Sequence, residues 1–163
     1  MEGELVRTGF LTRSFKNVNG DSGIWIMVLL EENGRFIKIA APGLYVYREG
    51  PHKAALFQTL LSACYETKMV QCEYDAADGE VRATLEFPLE DAKLTQQQLI
   101  RCVNAVAAVV DHFHMTIVAA MTTGELPKPR GDGDMVRLWQ EFQEFLEKKR
   151  REESAKPGEG LPS

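Results

Sequence analysis

The chain is poor in the features that mark secretion, membrane insertion or known catalytic machinery. Its three cysteines, Cys64, Cys72 and Cys102, are an odd number without CxxC spacing, whereas a disulfide scaffold wants a denser and even set. Reduced thiols in a cytoplasmic protein are the simplest account, and all three read as small buried hydrophobes. Met1-Glu2-Gly3-Glu4-Leu5 carries acid where a signal peptide needs a basic region and then an apolar one. The longest unbroken apolar run, Ile24 to Leu30, is far too short to cross a bilayer, so no membrane partner is expected. Basic charge is scarce too: 19 lysines and arginines against 24 acids leave a net charge of -5. Phosphate binding rests on a basic surface, so no nucleic-acid partner is expected. GxGxxG, P-loop, GxSxG and HExxH signatures are missing, which lowers the case for an enzyme and implies no cofactor.

What remains is an ordinary globular composition of 163 residues, 44% hydrophobic and 26% charged. That length is one domain, able to bury roughly 70% of the surface its unfolded chain exposes. Ile24 to Leu30 reads as a strand, Asn33-Gly34 as a type I′ hairpin turn, and Arg35 to Ala40 as the return strand. Pro42-Gly43 interrupts before a further extended piece at Leu44 to Tyr47, and Val6 to Phe15 has strand-compatible residues upstream. After Gly50-Pro51, the spacing of Phe57, Leu60, Leu61, Cys64 and Tyr65 gives one apolar helix face. Val70 to Tyr74 and Val81 to Phe87 alternate with period two around Ala76-Ala77-Asp78-Gly79, as a half-exposed hairpin does.

Thr95 and Gln98 form a capping-box signature ahead of a helix carrying Leu99, Cys102, Val103, Val106, Val110, Phe113, Ile117 and Met121. It runs to about Thr123, with Gly124 as a left-handed cap, and spans roughly 40 Å. Its many alanines permit close packing, although their helix propensity is the plainer account. The expected organisation is an α+β domain over 1–124, an antiparallel sheet with helices packed on one face. A Pro/Gly linker at 125–134, a C-terminal amphipathic helix at 135–151 and a disordered tail at 152–163 follow. The C-terminal helix carries Met135, Leu138, Trp139, Phe142, Phe145 and Leu146 on one stripe, and ends in the solvated cations Lys148 to Arg151.

Asp111-His112-Phe113-His114 is the one cluster resembling acid–base or metal chemistry. Helical geometry speaks against a metal: His112 and His114 stand about 200° apart, whereas a two-histidine helical site wants i, i+4. No metal is expected there. Trp25 and Trp139 are the large anchors, and Trp139, Phe142 and Phe145 are the candidate protein contacts.

The segment from Ile24 to about Met121 also resembles a family. It carries an apolar strand pair, a helix with Leu60-Leu61 and Tyr65, and Val70 to Glu80 with Asp78-Gly79-Glu80. Phe87-Pro88-Leu89 and Leu94-Thr95 then lead into a final helix with Val109-Val110-Asp111. In these it is similar to the YbjN-domain proteins, bacterial proteins with the fold of type III secretion chaperones. The resemblance implies a small acidic α+β protein, often homodimeric, that binds polypeptides or regulates rather than transforming a substrate. Members usually begin with a helix, where residues 1 to 23 here look extended; the C-terminal helix is expected to replace it, on its own subunit or a neighbour's. The reading is therefore a non-enzymatic, chaperone-like or adaptor module acting as a homodimer. The alternative is a small-molecule-binding domain or enzyme using Asp111, His112 and His114.

Overall fold

The computed structural model describes residues 4–127 and 134–154. Chain contacts divide the protein into two units, Met1–Lys128 and Pro129–Ser163. Most of the expected linker and all of the expected tail beyond 154 lie outside the described residues.

In the first unit, five strands form one antiparallel sheet in the order β1-β2-β3-β5-β4. They are β1 (Glu4–Leu11), β2 (Gly23–Glu31), β3 (Phe36–Val46), β4 (Gln71–Tyr74) and β5 (Glu80–Pro88). Two helices, α1 (Lys53–Glu66) and α2 (Gln96–Thr123), complete it. The α+β class and the antiparallel sheet are as the sequence predicts. Helix α2 crosses the inner face of β2, β3 and β5, and α1 packs on α2 and β4. Period-two alternation sends Ile24, Ile26, Ile37, Ile39, Val81 and Leu85 inward, where Val106, Val110, Phe113 and Ile117 of α2 meet them. Leu56 and Leu60 of α1 close the core.

Both ends of α2 are as its sequence demands. Thr95 Oγ1 accepts from the Gln98 amide at 3.2 Å, and Gln98 Oε1 accepts from the Thr95 amide at 2.9 Å. Gly124 terminates the helix at φ +75°. Ala105, Ala107, Ala108 and Ala120 are buried, so close packing, and not propensity alone, uses the alanines. Taken with its polar residues, α2 is long and apolar enough to cross a membrane, which the search for unbroken runs misses. Most of its apolar window is buried inside the fold.

Three local expectations need correction. The β2–β3 connection is not a two-residue turn, because Glu31 pairs with Phe36 and residues 32–35 form the loop. Glu32, Asn33 and Gly34 all take positive φ there. Residues 36–46 are one strand, not two, with a bulge between Ala41 and Tyr45 absorbing Pro42-Gly43. Finally, α1 is rotated from its expected face: Leu56, Thr59, Leu60 and Ala63 are buried, while Leu61 and Tyr65 are 70% and 92% exposed. The buried face of α1 combines Leu56 and Leu60 with the smaller Thr59 and Ala63, and the helix packs on both α2 and β4. Phe57 finds its partner sideways in Tyr74, with ring centroids 4.8 Å apart.

The second unit contains α3 (Asp134–Ser154). Its charges pair along the helix, Arg137 with Glu141 at 3.0 Å and Lys149 with Glu152 at 3.1 Å.

Candidate functional site

Asp111 and His114 sit one turn apart on α2, and both are buried. Asp111 Oδ1 accepts three consecutive backbone N–H groups, from Arg13 at 2.9 Å, Ser14 at 2.7 Å and Phe15 at 2.9 Å. Successive amides converging on one oxygen make an anion nest, and here the protein's own carboxylate fills it. The Arg13 guanidinium adds a looser contact, Nε to Oδ2 at 3.8 Å. The connection between β1 and β2 is thereby fastened to the central helix.

His114 belongs to the same cluster. Its Nδ1 lies 3.0 Å from the Tyr45 hydroxyl, and the Phe15 ring meets its face edge-on at 5.2 Å. Phe15 also meets Tyr45 edge-on, at 6.0 Å. Tyr45 reaches this position because the β3 bulge sets its register opposite Val81 on the inner face. Burial pushes the His114 imidazole below its usual range; Asp111 opposes that shift, and Lys16 adds to it. The Tyr45 phenol is driven up, by burial first and then by Cys72 and Asp111.

Of the three residues in the sequence-predicted cluster, the structure thus joins Asp111 and His114 through Phe15 and sets His112 apart. His112 is half-buried, edge-on to Phe113 at 4.7 Å. Asp111 is committed to backbone amides and His114 to a phenol, which is structural use of both. Tyr45 and Phe15, which complete the cluster, come from distant segments and have no signature in the local pattern. A nearby cavity of about 10 Å³, lined by Tyr45, Leu60, Cys72, Val110 and Phe113 among others, is apolar and has room for about one water. Among the described residues no group of three His, Cys, Asp or Glu side chains is placed to hold a metal ion.

The candidate contacts Trp139, Phe142 and Phe145 all fall on α3. The Phe142 and Phe145 rings lie 6.3 Å apart, and the Trp139 side chain lies outside the described residues.

The outer sheet face divides into two halves. On β3, β4 and β5 it is ionic: Lys38 bridges Glu86 at 3.0 Å and Glu73 at 3.9 Å, and Arg82 reaches Glu80 at 3.2 Å and Asp75 at 3.6 Å. On β1 and β2 it is mostly apolar. Cross-strand pairing puts Leu5, Arg7, Gly9 and Leu11 of β1 on one face with Trp25, Met27 and Leu29 of β2, Arg7 standing opposite Met27 as the one cation in the row. Trp25 is 68% exposed, its ring lying over Gly9. Leu5 and Leu11 are exposed as well. An exposed apolar cluster with a polar border is what interaction surfaces look like.

This patch runs into an open sheet edge. The Thr12 amide donates to the Ser22 carbonyl, so even-numbered residues of β1 share ladder bonds with β2. The Leu89 amide donating to Arg35 fits the same parity across β3 and β5. Leu5, Arg7, Gly9 and Leu11 therefore direct their N–H and C=O groups away from β2, where no described strand pairs with them. Sequence reasoning missed this surface because β2 is apolar on both faces, and alternation could not tell core from exterior.

Comparison of the chain with protein-family models, with curated proteins and with solved structures gives no match.

Proposed function

We propose that the protein is a non-enzymatic protein-binding module of the chaperone-like or adaptor kind, working as a homodimer joined through β1. The observation that carries this is the exposed apolar face around Trp25 running into the free edge of β1. Strand addition at such an edge supplies backbone hydrogen bonds, and side chains on the adjoining face supply affinity. The commitment of Asp111 and His114 to structural partners weighs against the enzymatic alternative.

A second copy is the occupant that β1 itself fits. Antiparallel pairing about a two-fold axis at Thr8 sets Leu5 opposite Leu11 of the partner subunit, Val6 opposite Phe10 of the partner subunit, and Arg7 opposite Gly9 of the partner subunit. The odd residues then form the hydrogen-bonded pairs, as their outward N–H and C=O groups require. Apolar meets apolar and no like charges oppose one another, so the strand is self-complementary, as an isologous interface must be. Resemblance to the YbjN-domain family, with its chaperone-like fold and frequent dimers, belongs to this same reading.

Light scattering on the full chain tests it. The expected mass is twice 18.3 kDa. The double substitution Leu5→Lys/Leu11→Lys sets ammonium groups opposite one another across the axis and should leave a folded monomer by circular dichroism. Arg7→Pro, which removes one outward N–H from an edge strand, should weaken the dimer as well. A wild-type monomer, or a dimer indifferent to both changes, would overturn the proposal.

A further inference from the structure

Cys64 lies in the last turn of α1 and Cys72 is the second residue of β4, and the short turn between them brings the Cys72 backbone onto the Cys64 sulfur. The Cys72 amide donates to Cys64 Sγ at 3.1 Å. Thr67 Oγ1, donating to the Val70 carbonyl at 3.1 Å, and Met69, at φ +70°, fix the turn that makes the approach. Neither cysteine is the fully buried hydrophobe that its sequence setting suggests, since both are half-buried. Cys72 lines the apolar cavity beneath the sheet. Cys102, by contrast, is buried in α2.

We propose that Cys64 and Cys72 form a redox-active dithiol, oxidised reversibly by hydroperoxides to an intramolecular disulfide, with Cys64 the attacking sulfur and Cys72 the resolving one.

A backbone N–H donated to the sulfur stabilises its thiolate, and the Cys64 thiol is held below the ordinary thiol range by Cys72, while Cys72 itself is pushed up. The last turn of α1 works the other way, because helix C-terminal carbonyls disfavour an anion. The interaction with Cys72 therefore has to outweigh the helix end. Burial raises the Cys102 thiol, which makes it an internal control.

In the first step the Cys64 thiolate attacks one oxygen of hydrogen peroxide, the O–O bond breaks, and hydroxide leaves, giving a sulfenic acid. In the second the Cys72 sulfur attacks the Cys64 sulfur, the S–O bond breaks, and hydroxide leaves. The two thiol protons convert both hydroxides to water. Two thiols and one peroxide thus give one disulfide and two waters; sulfur is oxidised and peroxide oxygen reduced. A dithiol reductant reverses the bond by exchange.

The experiment is stoichiometric hydrogen peroxide added to the reduced full chain, followed by intact mass and a tryptic map. Lys68 is the single tryptic site between the two cysteines, so the disulfide would join peptides 54–68 and 69–82. The expected result is a mass lower by two hydrogens, that cross-linked pair, its loss on reduction, and the same outcome in Cys102→Ala. Cys72→Ser should trap Cys64 as a sulfenic acid captured by a dimedone-type reagent, and Cys64→Ser should leave Cys72 unmodified. Equal oxidation of all three cysteines, over-oxidation of Cys64 without cross-link in the wild type, or no reaction would overturn the proposal. Because the wild-type map reads the bond directly, poor folding of either serine variant does not protect the idea.

Discussion

The carboxylate of Asp111 lies 2.9 Å from the backbone nitrogen of Phe15, a residue 96 positions earlier, and the ring of that same Phe15 rests against His114. One phenylalanine thus carries both the hydrogen-bonded and the aromatic attachment of the β1–β2 connection to α2.

Asp111→Ala leaves three amides without their acceptor and should cost about 2–4 kcal/mol, since an unpaired buried donor costs more than a hydrogen bond contributes. Asp111→Asn keeps an acceptor oxygen and should cost roughly half as much. Urea unfolding gives the stability, and amide exchange should rise selectively over residues 12–22. Uniform exchange across the first unit would count against the anchoring role.

His114 should make stability depend on pH. Its native pKa lies below the unfolded value, so the unfolded chain binds the extra proton. Stability is then fully present above about pH 6.5 and declines as pH falls through the unfolded value toward the native one. His114→Phe should flatten that decline in unfolding measured between pH 7 and 5. An unchanged slope would show that other groups set it.

Tyr45→Phe removes the hydroxyl beside His114 Nδ1 and should cost about 1–2 kcal/mol. Combined with His114→Phe, it should cost less than the sum of the single changes, by about 0.5–1.5 kcal/mol in a double-mutant cycle. Strict additivity would mean that the 3.0 Å contact contributes nothing.

Two glycines separate backbone strain from steric conflict. Gly34 and Gly79 both have positive φ, but a Cβ on Gly34 meets open space, while one on Gly79 falls 2.7 Å from the Arg48 backbone nitrogen. Gly34→Ala should cost about 1 kcal/mol from its left-handed conformation alone. Gly79→Ala should cost about 2–3 kcal/mol more, because backbone must move to admit the methyl. Equal costs in chemical denaturation would sink the distinction.

The parts of the fold that the sequence foretells are those governed by near neighbours. Thr95 and Gln98 form the capping box their spacing announces, and Gly124 ends α2. The β4–β5 hairpin follows from alternation. What escapes is set at a distance. Leu61 and Tyr65 look like core by spacing, yet α1 turns Leu56, Thr59, Leu60 and Ala63 inward, because both α2 and β4 cover it and fix which face is buried. Asp111 and His114 are visible as a pair of polar residues on an apolar helix, but their partners, Phe15 and Tyr45, lie 96 and 69 residues away. No periodicity encodes such a separation, so a structural cluster looks like a chemical one until the partners are seen.

The distance between Asp111 and the amides it holds also bears on synthesis. The first hairpin can pair as soon as Glu31 has left the ribosome, but the carboxylate that fastens residues 13–15 emerges about eighty residues later, roughly 4–16 s at typical elongation rates. Through that interval the inner face of the sheet lacks its central helix, and the edge of β1 and the apolar rows of β2 face the cellular milieu on both sides. A nascent chain halted before Asp111 should therefore be the form most dependent on a holding factor, and release past α2 the point at which that dependence ends.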